Sequence, residues 1–271
     1  MKGIENQTKE FFISDAFVNV NNEMVGNINL KDLDIITYIL AKQQMNLKYN
    51  TLLNVDYIFN MLEVTKPTFY ADIKESLINL YNNNYIELRD IKYNLIEAQD
   101  FLKLKPKDNF IIIFDDNTEY FQVEDLALDK IIQLSKNFKS RFQYVRYYLL
   151  ARRYCNYRPV IDKDYLIGYM SMSTVNDFIK NKDTIKRYNE SLVENKIFHV
   201  NNNYISSTTH KNLTTYFGLY DSVSKEEFEK IVNITATSQG YVSYDKEKMS
   251  EKIKENIKKI TQKAKRSELN E

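Results

Sequence analysis

Leu80-Tyr81-Asn82-Asn83-Asn84-Tyr85-Ile86-Glu87-Leu88 holds the end of one kind of structure and the start of another. Upstream of it, Phe69, Ile73, Leu77 and Leu80 are spaced four, four and three, which puts all of them on one side of a helix. The asparagines end that helix, and Tyr85 to Leu88 then alternates like a strand. The passage recurs as Leu192-Val193-Glu194-Asn195-Lys196-Ile197-Phe198-His199-Val200. Two further matches precede it in the same order. Tyr38-Ile39-Leu40-Ala41-Lys42 returns as Tyr148-Leu149-Leu150-Ala151-Arg152, and Asp56-Tyr57-Ile58-Phe59-Asn60-Met61-Leu62 as Asp164-Tyr165-Leu166-Ile167-Gly168-Tyr169-Met170. The offsets drift from 110 to 108 to 112, which places small insertions in loops between elements. Such a period is too long for a solenoid, so the chain reads as two copies of one small domain.

Working outward in the first copy, Leu33, Ile36, Tyr38, Ile39 and Leu40 give Leu30 to Gln44 a helical stripe. Asn54 is placed to cap a short second helix ending near Glu63, and a third helix starts around Thr65 with Pro67 in its first turn. Tyr93 to Ile96 reads as the strand returning from Tyr85 to Leu88 across a polar turn. Three helices followed by a hairpin is the order of a winged helix-turn-helix, with Glu63-Val64-Thr65 as the tight link. In the second copy the corresponding helices are Phe142 to Arg153, Lys163 to Met170 and a longer third, Ser173 to Asn195, either continuous or broken, with Ser171-Met172-Ser173 as the link. Its hairpin is Ile197 to Val200 with Tyr204 to Ser206. Between the copies, Phe110 to Val123 reads as extended with a turn at Asp115 to Thr118, able to pair with Phe11 to Val20.

The expected fold is therefore α+β and predominantly helical: two tandem winged helix-turn-helix domains and a basic C-terminal helix. The boundaries are 1–28 for an extended segment, 29–105 for the first domain, 106–122 for a connecting hairpin, 123–207 for the second domain and 208–271 for the C-terminal segment.

Composition narrows the function. A length of 271 residues with 43% hydrophobic and 28% charged residues suits about two soluble domains. The longest apolar runs, such as Phe110 to Phe114, are strand length, so no membrane partner is expected. Cys155 is alone, which fits a reducing cytoplasm, and His199 and His210 lack the spacing of a metal site. Without a Gly-Lys phosphate loop or a nucleophile constellation, no catalytic activity, metal or cofactor is expected. The acidic group Asp115, Asp116, Glu119, Glu124 and Asp125 reads as a polar turn in preference to an ion site.

Local charge asymmetry points to nucleic acid. Lys136 to Arg158 contains Lys136, Lys139, Arg141, Arg146, Arg152, Arg153 and Arg158 with no acidic residue, in a chain of net charge +1. That pattern is the footprint of a phosphate-tracking face, or of a solvated helix paired with the acidic stretch before it. Lys180, Lys182, Lys186 and Arg187 cluster on the second copy's third helix, with Ser173, Thr174 and Asn176 at its entrance. The first copy offers Lys66, Thr68 and Lys74 beside Asp72 and Glu75, which is poor chemistry for a phosphate surface and suits a protein contact equally well. From Lys246 to Arg266, nine Lys or Arg face three Glu, and Met249, Ile253, Ile257, Ile260 and Ala264 form an apolar stripe.

In the order of its elements, in the copies anchored by Asp56-Tyr57 and Asp164-Tyr165, and in its more basic second copy, the chain resembles the tandem winged-helix replication initiators of bacterial plasmids and related mobile elements. The resemblance covers roughly residues 29–207. It implies a first domain that supports dimerisation and backbone contact and a second that reads repeated origin sequences. The expected function is sequence-specific binding of double-stranded DNA in replication initiation. Two alternatives stand beside it: a transcriptional regulator of a mobile element, and an adaptor that contacts replisome or helicase-loading proteins. A homodimer through the first domain or the C-terminal helix is also expected of such a chain.

Overall fold

The computed structural model describes residues 17–45, 50–115, 119–134, 138–160, 163–206 and 214–243. The chain opens with β1 (Phe17–Asn21) and the short α1 (Asn22–Gly26), whose cap is Asn21 Oδ1 accepting from the Glu23 and Met24 amides at 2.8 and 3.1 Å. The first unit begins at α2 (Asp32–Lys42), which is buried from Asp34 to Lys42. After β2 (Asn50–Leu53), Asn54 caps α3 (Val55–Met61) as its sequence predicts, its Oδ1 accepting from the Tyr57 amide at 2.9 Å. Then come α4 (Phe69–Asn82), which buries Ile73, Leu77 and Leu80, β3 (Ile86–Arg89), α5 (Ala98–Lys103) and β4 (Phe110–Phe114). The sheet order is β2-β4-β3, antiparallel throughout.

Here the structure departs from the predicted hairpin. Arg89 and Leu95 make one isolated bridge, and the main partner of β3 is β4, from the stretch read as a connection between domains. The reason lies in the composition of β4: Phe110, Ile111, Ile112 and Phe114 are all buried, and a strand apolar on both faces belongs in the middle of a sheet. The remainder of that stretch, β5 (Tyr120–Glu124), pairs antiparallel with β1, as expected for Phe17 onward, with Val18 opposite Val123.

The second unit follows α6 (Asp125–Leu134). It comprises α7 (Phe138–Tyr154), β6 (Cys155–Val160), β7 (Lys163–Ser171), α8 (Met172–Phe178), α9 (Lys182–Glu194), β8 (Phe198–Asn201), β9 (Tyr204–Ser206), β10 (Thr214–Leu219), α10 (Lys225–Ser238) and β11 (Tyr241–Ser243). Its main sheet has the order β6-β7-β10-β8, and β9 pairs with β11.

Three sequence expectations are corrected. Lys163 to Met170 is strand β7, not a helix; Gly168 lets the backbone of Tyr154 and Cys155 come so close that a Cβ there would overlap the Tyr154 carbonyl oxygen. The stretch Ser173 to Asn195 takes the broken form its sequence allows, as two helices, α8 and α9, separated at Ile179-Lys180-Asn181. Asn181 Oδ1 caps the second by accepting from Asp183 N at 2.8 Å. Ser171-Met172-Ser173 is therefore the start of α8 rather than the link between helices. Finally, β8 pairs with β10 and not with Tyr204–Ser206.

With α5, β6, β9, α10 and β11 set aside as additions, both units run helix, strand, helix, helix, strand, strand. In both, the last of these strands lies between the other two, as β2-β4-β3 and β7-β10-β8. The ends of the two third helices match in detail. Asn84 (φ 60°) and Lys196 (φ 55°) take the left-handed conformation, and Tyr85 N and Ile197 N donate back to Leu80 O and Leu192 O at 3.0 and 2.9 Å. The Asn83 and Asn195 side chains each donate to the carbonyl four residues earlier at 2.8 Å. One apolar core, from Val18 through Phe217, runs through both units, and a smaller one lies under α10 around Tyr216, Phe228 and Val232. Among the described residues no helix is long and apolar enough to cross a membrane.

Candidate nucleic-acid interface

The arginine-rich stretch of α7 is not a surface. From Phe142 to Arg152 nearly every residue is buried, including Tyr144, Tyr147 and Tyr148. Arg146 is 3% exposed. Its Nη1 donates to Leu30 O at 2.8 Å and Asp32 Oδ1 at 3.2 Å, its Nη2 to Asn27 O at 2.7 Å and its Nε to Val25 O at 3.3 Å. Arg152, 6% exposed, pairs with Glu124 at 3.5 Å. A buried cation has exchanged its hydration for fixed partners and cannot also neutralise a phosphate. Arg146 and Arg152 are thereby withdrawn from the expected interface. Arg153 is half-buried, with its guanidinium over the Tyr154 ring at 5.6 Å. The side chains of Lys139, Arg141 and Arg158 lie outside those described, as do Lys136, His210, Phe11 to Ala16 and the basic stretch Lys246 to Arg266. The signal for burial was legible: Phe142, Val145, Leu149, Leu150 and Ala151 leave α7 apolar around its circumference, the mark of a core helix.

On the first unit, Lys74 is also used internally. It donates to Leu102 O at 2.9 Å and to Leu104 O, satisfying carbonyls at the end of α5. Lys66 and Thr68 are exposed just before α4, but Asp72 and Glu75 on its outward face are exposed too. Lys31 reaches Glu75 only at 4.0 Å, and both are open to water. Exposed acids thus stand on the outward face of α4, with Lys66 before it and Lys31 beside it.

The second unit differs. Ile185, Tyr188, Asn189 and Leu192 turn α9 inward, so the helical period sends Lys182, Lys186 and Arg187 outward, and all of them are exposed together with Lys180 in the turn before. Lys182 and Lys186, one turn apart, share a face. Lys186 lies 3.8 Å from Glu190, and Arg187 Nη2 donates to Thr184 Oγ1 at 3.2 Å. Asp183 is the acidic residue among them. Ser173, Thr174 and Asn176 lie on α8, one helix earlier than expected. The hydroxyls of Ser173 and Thr174 contact Ser171 Oγ at 2.7 and 2.9 Å within the cap of α8, and Asn176 is half-buried. The four cations thus gather on the turn and first two turns of α9. Ammonium groups there suit phosphate oxygens, and a guanidinium suits either a phosphate or the paired acceptors of a guanine edge.

Sequence reasoning missed what holds this helix in place. The Arg146 guanidinium lies 3.9 Å from the centroid of the Phe178 ring, the last residue of α8, and Tyr188 OH on α9 donates to Gln143 Oε1 at 3.2 Å. No family model matches this chain, and searches of the curated proteins and of the solved structures return no match.

Proposed function

We propose that both units are winged helix-turn-helix modules and that the chain binds specific double-stranded DNA, with α9 as the helix offered to the major groove. The observation that carries this reading is the asymmetry between the third helices. Equivalent in place and in the way they end, they differ in where charge is placed: the turn before α9 and its first two turns expose Lys180, Lys182, Lys186 and Arg187 around Asp183, with Glu190 and Glu194 farther along, whereas the first two turns of α4 expose Asp72 and Glu75. A helix after a tight link, flanked by a sheet and lined with cations, has the form that enters a major groove. Initiation of replication on a plasmid or related mobile element is the role supported by the resemblance to tandem winged-helix initiators, and regulation of transcription would use the same contacts.

A second reading applies to the first unit alone. Its acidic α4 is accompanied by exposed Leu52, Ile91, Tyr93 and Leu95, a combination that favours a protein partner, including a second copy of the chain, over a phosphate backbone.

The test is equilibrium binding of the whole chain to fluorescent duplexes cut from the DNA flanking its own coding sequence, against scrambled duplexes of equal length, over a range of salt. Preference for one fragment with a steep salt dependence supports the DNA reading. No binding by folded protein at low salt refutes it and leaves the protein-contact reading in its place.

A further inference from the structure

We infer that Arg146 is a positioning residue that sets the helix-turn-helix of the second unit at a fixed orientation on the first unit. The inference rests on the proposed DNA reading and adds to it a cause for specificity. Arg146 projects from α7 between two bodies. On one side its nitrogens bind the carbonyls of Val25, Asn27 and Leu30 and the carboxylate of Asp32, all in the passage from α1 into α2. On the other, its flat face covers the Phe178 ring at 3.9 Å. Phe178 ends α8, and the turn Ile179-Lys180-Asn181 that carries the chain into the basic helix follows at once.

Neighbouring residues of α7 repeat the arrangement. Gln143 Nε2 lies 3.5 Å from Phe178 O, and Gln143 Oε1 accepts from Tyr188 OH on α9 at 3.2 Å. Phe142 meets Phe69, the first residue of α4, edge to face at 6.3 Å. One stretch of α7 therefore touches both third helices and the end of α8, where the turn before the basic helix begins. A planar guanidinium that donates to four acceptors has one orientation, and the ring stacked on it inherits that orientation.

Reading base edges requires the helix in register, whereas attraction to phosphate requires only that the charges be present. Loosening the Arg146–Phe178 stack should therefore separate specific from non-specific binding. Phe178→Leu removes the ring and keeps an apolar side chain, Phe178→Tyr keeps the ring, and Arg146→Lys keeps the charge without the fork. Affinities for the preferred fragment and for a scrambled duplex would be measured at one salt concentration, alongside amide hydrogen exchange of residues 179–184. The expected result for Phe178→Leu and Arg146→Lys is a loss on the order of tenfold on the preferred fragment, as for about one base contact, with the scrambled duplex changed by less than about twofold. Phe178→Tyr should match the unmodified chain, and exchange at residues 179–184 should quicken only in the other two variants. An unchanged ratio of specific to non-specific affinity, or an equal loss on both duplexes, overturns the inference. If the unmodified chain fails to discriminate the duplexes, the DNA reading falls, and hydrogen exchange decides the positioning role by itself. Unchanged exchange in both loosened variants then overturns it, and faster exchange sustains it.

Discussion

Arg146 and Arg187 carry the same charge into opposite environments. The first sits under the protein surface with backbone carbonyls as partners, and the second stands in water with Thr184 as its neighbour. Arg146→Ala would strand several acceptors and the Asp32 carboxylate, so it should lower unfolding free energy by about 3 kcal/mol or more, whereas Arg187→Ala should stay within about 0.5 kcal/mol. Urea unfolding of both variants checks this, and equal losses would contradict the difference in burial. Asp90 gives a pH-dependent test. Hydrogen bonds from the Asn94 side chain and amide, with a further one from the Lys92 amide, hold its carboxyl below the ordinary aspartate value of 3.8. An acid whose folded value is depressed contributes order above its unfolded value and loses it as pH falls through the folded one. The Lys92 and Asn94 amide resonances should thus titrate with a midpoint below 3.8, and a midpoint at or above that value would show that these bonds are not held in solution.

Elements were legible where local chemistry alone decides them. The cap at Asn54, the stripe of α4 and the asparagine-bearing helix ends at Asn83 and Asn195 are short-range devices, and each stands where its residues imply. Strand pairing was less legible, because β4 reaches β2 and β3 across long stretches of chain that leave no short-range trace. The resemblance of Asp56–Leu62 to Asp164–Met170 misleads for another reason: similar apolar spacing implies a helix where a strand forms. Gly168 was the residue that told against a helix, since it permits the backbone of Tyr154 and Cys155 to lie against it. Gly168→Ala should consequently cost about 1–3 kcal/mol, the range for forcing atoms into a packed site. Thermal or urea unfolding that leaves stability unchanged would mean the approach is looser than described.

At the scale of the molecule, a net charge of +1 conceals a sorting of charge by depth. Arg146 and Arg152 of α7 bind the elements packed around it, Asp72 and Glu75 face outward on α4, and Lys182, Lys186 and Arg187 face outward in the first two turns of α9. Sequence located the basic segments, and only the apolar residues spread around α7 set the buried one apart, because burial depends on which helix becomes central. The core shared by both units makes α7 that helix. The central claim is that α9 carries the phosphate contacts, and it is tested by the salt dependence of DNA binding in a variant with Lys180, Lys182, Lys186 and Arg187 all changed to Ala. The expected result is weaker binding to every duplex, with a slope of log affinity against log salt shallower by about 0.9 for each phosphate no longer neutralised, so by roughly three to four in all. An unchanged slope with unchanged affinity would contradict the claim and move the interface elsewhere on the molecule.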